Sequence, residues 1–171
     1  HTQFALAHNG NLTNTSELAE EAGMLDGMAT SDTDVMAELL SLHLRNNPRC
    51  VDHELEGALT AVLRQLRGAF SLVLMDSSRV IGVRDPNGFR PLCLGRLDGG
   101  WVLASESPAL DVVGAAFVRE IDPGEMVIID GDGVRSVRPF PAEAVSPHLC
   151  LFEFVYFARP DSTLYGRNVH Q

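Results

Sequence analysis

The residues best suited to chemistry lie in two short segments near the start of the chain, Asn9-Gly10 and Ser31-Asp32. An asparagine amide beside a glycine N–H offers two hydrogen-bond donors, and an aspartate carboxylate can pair with a cation. Each segment also has a purely structural interpretation. Asn-Gly by itself predicts a tight turn, and an aspartate in the first turn of a helix stabilises the helix dipole.

The cysteines and histidines follow no metal-binding or disulfide pattern. The three cysteines, Cys50, Cys93 and Cys150, are an odd number without CxxC spacing, which is typical of a reduced protein rather than a disulfide framework. The six histidines lack the spacing of metal ligands. His8 adjoins Asn9. For His43, on a predicted helix, and His53, near a predicted helix start, we expect solvent or capping contacts.

The composition is that of a globular protein with no affinity for nucleic acid. The 171 residues are 45% hydrophobic and 21% charged, enough for one domain, or for one domain and part of another. A net charge of −10 argues against a phosphate-binding groove for DNA or RNA. No apolar run is long enough to span a bilayer and no signal peptide opens the chain, so we predict a cytoplasmic protein without a membrane partner.

Helices are predicted in the first part of the chain. A short strand over residues 4–7 is predicted to end at Asn9-Gly10. Asn14 is predicted to cap a helix that Gly23 ends. A second helix is predicted to begin near Ser31-Asp32, and a third near Asp52, ending at Gly68.

Beyond Gly68 the hydrophobic period changes to that of strands. Six short segments read as strands joined by tight turns: residues 69–75, 80–83, 92–95, 101–104, 125–130 and 134–138. Helices followed by consecutive strands predict an α+β class with largely antiparallel sheets. Three prolines, Pro139, Pro141 and Pro147, indicate a linker before a further apolar segment.

Two segments in order resemble class II glutamine amidotransferases of the N-terminal-nucleophile (Ntn) hydrolase fold. They are residues 7–12, AHNGNL, and residues 30–35, TSDTDV. The resemblance implies an αββα sandwich of two stacked antiparallel sheets. It also implies that the Asn9 side-chain amide and the Gly10 N–H form an oxyanion hole, and that Asp32 holds the α-ammonium group of glutamine.

Further segments resemble the amidophosphoribosyltransferase branch of that family. These are RDPNGFRPL at 84–92, ASES at 104–107, DPGE at 122–125 and FEFVYFARPDS at 152–162. Each tetrapeptide alone is a weak signal, but their order across nearly the whole chain is specific. The resemblance implies a glutaminase domain over residues 1–146, lacking its N-terminal part. It implies a linker and the start of a phosphoribosyltransferase domain over residues 147–171.

The branch implies a two-site, homo-oligomeric enzyme. Glutamine is hydrolysed by an N-terminal cysteine, and the ammonia is transferred to 5-phosphoribosyl 1-pyrophosphate, giving 5-phosphoribosylamine in the first step of purine synthesis. Mg²⁺ serves the phosphoribosyl site, outside this chain. In the iron–sulfur members a cysteine at the place of Cys150 is one ligand of a [4Fe–4S] cluster; the alternative for Cys150 is a small buried hydrophobe.

Both ends of the chain look cut, and no cysteine occupies the position of the expected nucleophile. The sequence therefore predicts that this chain has no glutaminase activity by itself. Two alternatives stay open: another class II amidotransferase, such as a hexosephosphate aminotransferase or asparagine synthetase, and a non-catalytic interaction domain. The segment 152–162 distinguishes the first alternative, because those relatives join their glutaminase to unrelated synthase domains.

Overall fold

The structure is a computed structural model that describes residues 3–25, 27–46 and 54–170. Cys50, His53 and the predicted start of the third helix near Asp52 lie outside these ranges. Within them, helices occupy mainly the first part of the chain and strands the remainder. The predicted α+β class is confirmed.

The described residues contain four α-helices and ten strands. The helices are α1 (Thr15–Glu21), α2 (Asp32–Asn46), α3 (Glu54–Leu63) and α4 (Ser107–Val112). The strands are β1 (Ala5–Leu12), β2 (Gly68–Met75), β3 (Val80–Arg84), β4 (Cys93–Leu97), β5 (Gly100–Ala104), β6 (Ala116–Glu120), β7 (Met126–Asp130), β8 (Gly133–Val137), β9 (Thr163–Leu164) and β10 (Arg167–Asn168). A 3₁₀ turn covers Ala142–Ala144 and a π-helical turn covers Glu153–Phe157.

The strands form two principal sheets in which every pairing is antiparallel. The larger sheet has the order β1-β2-β3-β7-β8, and the smaller has the order β5-β4-β6. Strands β9 and β10 form a separate hairpin. Among the described residues, no helix is long and apolar enough to cross a membrane.

The large sheet is buried on both faces, and alternation along its strands divides the side chains between two cores. On β2, Leu72 and Leu74 pack with the helices, whereas Val73 packs between the sheets. The sheets approach so closely at Gly82 of β3 that a Cβ there would lie 2.7 Å from Leu103 of β5. The two sheets are therefore stacked face to face, as predicted.

Helices cover the outer faces of both sheets and complete the αββα arrangement. Apolar residues of α2 and α3 lie in the same core as β2, β3 and β7. On the other side, Leu110 of α4 packs with Cys93 of β4 and Ala115. The short helix α4 and the strand β6 were not predicted, since neither has a long periodic pattern.

Two predicted boundaries were wrong. Asn9-Gly10 lies inside β1, opposite Ser71 and Phe70 of β2, and does not form a turn. The tertiary pairing along the whole of β1 overrides the local Asn-Gly preference. The third helix ends at Leu63 rather than Gly68, because Gly68 already begins β2.

Asn14 is the N-cap residue of α1, as predicted, but its side chain makes no capping bond. Its amide instead bridges to the chain before β2: Nδ2 donates to the Gln65 carbonyl at 3.0 Å, and Oδ1 accepts from the Arg67 N–H at 3.1 Å. Asn14 is 8% exposed, so these bonds are sheltered from water. The amide fixes the end of β1 to the start of β2.

Replacing Asn14 by Ala should lower the free energy of unfolding by about 1–3 kcal/mol, because two part-buried hydrogen bonds, to the Gln65 carbonyl and from the Arg67 N–H, are lost. Urea denaturation monitored by circular dichroism measures this. The control is Asn11→Ala, since Asn11 is exposed and, among the described residues, its amide bonds only the neighbouring Leu12 carbonyl; its effect should stay within about 0.5 kcal/mol. Equal losses in both variants would contradict the bridging role.

Candidate functional site

The candidate site is built on the middle of β1, where Gly10 runs against β2 without room for a side chain. Gly10 has φ of +149°, a backbone conformation that favours glycine. A Cβ at this position would lie 2.0 Å from the Ala69 carbonyl oxygen and 2.9 Å from Nε2 of His8. Only glycine allows β1 and β2 to approach this closely.

The Asn9 side chain lies on the face of β1 opposite that of His8. Hydrogen bonds hold its amide at both the oxygen and the nitrogen. Its Oδ1 accepts two hydrogen bonds from Arg90, from Nε at 3.1 Å and from Nη2 at 2.7 Å. Its Nδ2 donates to the Ser105 hydroxyl at 3.2 Å. An amide nitrogen carries two protons, so one N–H of Asn9 is left for a ligand.

Arg90 reaches Asn9 from the loop that connects β3 to β4. The cross-strand partner of Asn9, Ser71, donates its hydroxyl to the Arg90 carbonyl at 2.8 Å. On the far side, Nη1 of Arg90 donates to Glu153 at 2.9 Å, and the guanidinium lies 4.7 Å from the ring centre of Phe157. Residues of the C-terminal segment thus contact the side chain that holds Asn9.

A buried pair, Arg84 and Asp85, shapes the loop that carries Arg90. Arg84 is 2% exposed and donates to the carbonyl oxygens of Arg90, Gly88 and Ile121 at 2.8–3.0 Å. Asp85 is fully buried and accepts the N–H groups of Arg90 and of residues 70 and 87. Burial raises the pKa of Asp85, and the backbone N–H groups oppose that rise.

Asp32, at the start of α2, is bonded to the end of β1. Its Oδ2 accepts the Leu12 N–H at 2.7 Å, and its Oδ1 accepts the Thr15 hydroxyl at 3.0 Å. The carboxylate therefore has a structural role that joins β1, α1 and α2. The structure brings Asn9, Gly10 and Asp32 to one strand, with Asp32 at its end.

His8 lies on the helix-facing side of β1, beside Asp32 rather than beside the Asn9 amide. Its Nε2 is buried and has no hydrogen-bond partner among the described residues. Burial lowers the pKa of His8 below its usual 6.5, although the Asp32 charge partly opposes this. His8 is accordingly neutral at pH 7.

Two cysteines, Cys93 and Cys150, lie in the described part of the chain. Cys93 is buried in β4, where burial raises its pKa to about 11, so it is not a thiolate at neutral pH. Cys150 is half-buried and precedes Glu153 in the C-terminal segment. The described residues contain no group of three or more side chains able to hold a metal ion.

Sequence reasoning singled out Asn9, Gly10 and Asp32 but missed the side chains that hold the Asn9 amide. Arg90, Ser105 and Glu153 lie within the segments 84–92, 104–107 and 152–162, which served only as family markers. A signal was present for Arg90 and Glu153, because each lies between two apolar neighbours in the sequence, whereas Ser105 carries no such signal. The arrangement offers a fixed amide donor and a carboxylate at one strand, which suits stabilising an anion and binding a cation.

Comparison with known proteins shows which family this chain resembles. The family model of the glutamine amidotransferase domain matches residues 1–112. An amidophosphoribosyltransferase of Mycobacterium leprae is 50% identical over 173 residues, covering 97% of this chain and 30% of that protein. One of Mycobacterium tuberculosis is 49% identical over 176 residues, covering 99% of this chain and 32% of the relative. The chain thus spans about a third of the length of these relatives.

Solved structures show the same similarity. Glutamine phosphoribosylpyrophosphate amidotransferase from Bacillus subtilis superposes with a TM-score of 0.86 at 38% identity, covering 99% of this chain and 36% of that one. A glutamine aminotransferase class-II domain protein from Silicibacter pomeroyi gives a TM-score of 0.56 at 19% identity, covering 82% of this chain and 70% of that one. At that identity the second match shows the fold alone.

Replacing Gly10 by Ala should lower the free energy of unfolding by at least about 2 kcal/mol, because the new methyl group meets a strand backbone that cannot move aside. The control is Gly57→Ala in α3, where a Cβ meets no atom within 4 Å; there alanine should be neutral or slightly stabilising. Thermal and urea denaturation measure both variants. Unchanged stability in Gly10→Ala would refute the close β1–β2 approach.

Proposed function

The chain belongs to the glutamine amidotransferase domain family, and from that premise we propose that it forms the glutamine-binding part of an amidophosphoribosyltransferase. In the whole enzyme, glutamine is hydrolysed and the ammonia is transferred to 5-phosphoribosyl 1-pyrophosphate, giving 5-phosphoribosylamine for purine synthesis. The proposal assigns the glutamine half of this reaction to residues of β1 and α2. It leaves phosphoribosyl transfer to a part of the enzyme beyond this chain.

The observation that carries the proposal is the extent of the similarity. The domain model matches residues 1–112, whereas the amidophosphoribosyltransferase relatives match 97–99% of the chain at 49–50% identity. The additional similarity includes the segment that contributes Glu153 and Phe157 to the site. The favoured function is therefore that of these relatives rather than of another class II amidotransferase.

In the proposed mechanism, Asn9 and Gly10 stabilise the tetrahedral intermediate formed when a thiolate attacks the glutamine amide carbon. The free N–H of the Asn9 amide and the Gly10 N–H are proposed to donate to the oxygen that becomes negatively charged. Loss of ammonia then leaves a thioester, which water hydrolyses to glutamate. We propose that the thiolate is an N-terminal cysteine supplied by the parent protein.

Asp32 is proposed to fix the other end of the substrate. Its carboxylate sits at the end of β1, where the bonds from Leu12 and Thr15 hold it in place. Each carboxylate oxygen retains capacity to accept from an α-ammonium group. The structural and substrate-binding roles are compatible, because two fixed bonds preorganise the carboxylate for the ligand.

The C-terminal segment is proposed to begin a phosphoribosyltransferase domain, with the division falling near residues 146–147. Its apolar side chains are more exposed than is usual in a globular protein. Six of them are each more than half exposed: Leu149, Leu151, Phe152, Val155, Tyr156 and Phe157. Contact with a further domain would remove these side chains from water. Mg²⁺ at the phosphoribosyl site, a cytoplasmic location and homo-oligomeric assembly are part of the same proposal.

A non-catalytic interaction domain is the second candidate. It is favoured by one observation, that burial raises the pKa of Cys93 to about 11, so this thiol is not activated. The two candidates differ in one measurable property, glutamine hydrolysis by the full-length parent protein. Release of glutamate from glutamine by that protein supports the enzyme, and its absence in an ammonia-competent protein supports the second candidate.

In the full-length enzyme, Asn9→Ala should reduce glutamine-dependent turnover by about 10²–10³-fold, the usual effect of removing one oxyanion-hole donor. Asp32→Asn should mainly raise KM for glutamine, because it removes the charge that pairs with the α-ammonium group. Steady-state assays with glutamine and with ammonium chloride measure both variants. The ammonia reaction should survive in each, since it bypasses glutamine hydrolysis. Parallel loss of the ammonia reaction would indicate misfolding and contradict the assignment.

Cys150 is proposed as one ligand of a [4Fe–4S] cluster in the parent enzyme. A cluster needs four thiolates, and the described residues do not form such a set: Cys93 is buried in a sheet, where its Sγ donates to the Ala104 carbonyl. The remaining ligands would have to come from elsewhere in the parent, and no step of the mechanism uses the cluster.

Anaerobically purified parent enzyme should contain about four irons per chain, and Cys150→Ser should lose them together with the visible absorption. Cys93→Ser is the matched control and should keep its iron, because Cys93 lies inside the small sheet. Iron analysis and absorption spectra decide the matter. An iron-free wild type would assign Cys150 to packing alone.

A further inference from the structure

Arg90 approaches the proposed oxyanion donor, Asn9, in a way that constrains its chemistry. Two guanidinium N–H groups, from Nε and Nη2, converge on the single oxygen Oδ1 at 3.1 and 2.7 Å. A guanidinium has five donors and no acceptor, and it stays protonated at any physiological pH. The atom of the Asn9 amide that faces Arg90 must therefore be the oxygen.

We propose that Arg90 is a positioning residue that fixes which way the Asn9 amide points. The proposal rests on the function proposed above, in which Asn9 donates to the oxyanion. An asparagine amide rotated by half a turn has nearly the same shape but presents a carbonyl oxygen where its NH₂ stood. Such a rotation would turn an oxyanion donor into a repulsive acceptor. Arg90 excludes it, because rotation would place an NH₂ against the guanidinium.

The opposite end of the amide does not provide the same control. Nδ2 donates to the Ser105 hydroxyl at 3.2 Å, but a hydroxyl both donates and accepts. Ser105 can therefore pair with either end of a rotated amide. The orientation of Asn9 is thus decided on the Arg90 side.

The structure also holds Arg90 rigidly enough to exert this control. Its carbonyl accepts from Ser71 and from the buried Arg84, and its N–H donates to Asp85. Its remaining Nη1 pairs with Glu153, whose side chain is 4% exposed. The guanidinium carbon also lies over the Phe157 ring, 4.7 Å from its centre. Both ends of the side chain are fixed, so the two bonds to Asn9 need little further ordering.

The test uses the full-length enzyme with Arg90→Gln, Arg90→Lys and the control Arg96→Gln. In Arg90→Gln, the new side-chain amide can donate or accept a hydrogen bond, so it no longer dictates the orientation of the Asn9 amide. In Arg90→Lys, the ammonium group can only donate, so this variant should restore part of the constraint on the Asn9 amide. Arg96 also stacks on an aromatic ring, that of Trp101 at 4.3 Å, but it is an exposed residue of β4.

Arg90→Gln should lower kcat with glutamine by about 10–100-fold, less than the loss for removing an oxyanion donor outright. KM for glutamine should change less than about threefold, because a positioning effect on the oxyanion acts in the transition state. The ammonia-dependent rate should be unchanged, Arg90→Lys should recover at least part of the lost kcat, and Arg96→Gln should behave as wild type. Melting temperatures measured alongside show whether each variant is folded.

The outcomes separate this inference from the function on which it rests. A normal kcat in Arg90→Gln, with a large loss in Asn9→Ala, would overturn the positioning role and leave the function intact. Equal losses of the glutamine and ammonia reactions in both Arg90 variants would show that Arg90 acts only on folding. An unaffected Asn9→Ala enzyme would instead overturn the proposed function itself.

Discussion

The close antiparallel pairing of β1 with β2 is the constraint on which the rest of the site depends. At Gly10 the two backbones lie too near for a Cβ, so the strand passes through Asn9-Gly10 without turning. Alternation then places Asn9 and its partner Ser71 on one face of the sheet and His8 on the other. The pairing of β1 with β2 thus directs the Asn9 side chain towards Arg90 and the His8 side chain towards the helices.

Buried charge on the loop after β3 converts that strand geometry into a fixed site. Arg84 and Asp85 are almost completely removed from water, where each must have partners to offset the cost of desolvation. Several of these partners are backbone groups of residues 87–90, so the loop has little freedom. Arg90 leaves this loop in one direction, towards Asn9, and Glu153 neutralises the side of its guanidinium that Asn9 does not occupy.

Much of the fold followed from the sequence because its signals were local and periodic. The helix beginning at Asp32 and the strands after Gly68 have apolar residues at the spacing their structures require, and both were predicted to within a few residues. The exceptions were elements whose state depends on distant partners. Asn9-Gly10 reads locally as a turn but is strand because β2 lies beside it. Asn14 is the N-cap residue of α1, as predicted, but its side chain bonds residues 65 and 67 instead of the helix.

For the site, the sequence by itself determined the candidate residues Asn9, Gly10 and Asp32, because their types and order form a recognisable pattern. It did not reveal that Arg90 and Ser105 bond Asn9, or that Glu153 pairs with Arg90. Those contacts join residues 63–96 positions apart in the chain, and no local periodicity encodes such a separation. Only the tertiary structure decided which way the Asn9 amide points, since that orientation is set by a donor-only guanidinium that folding brings to it.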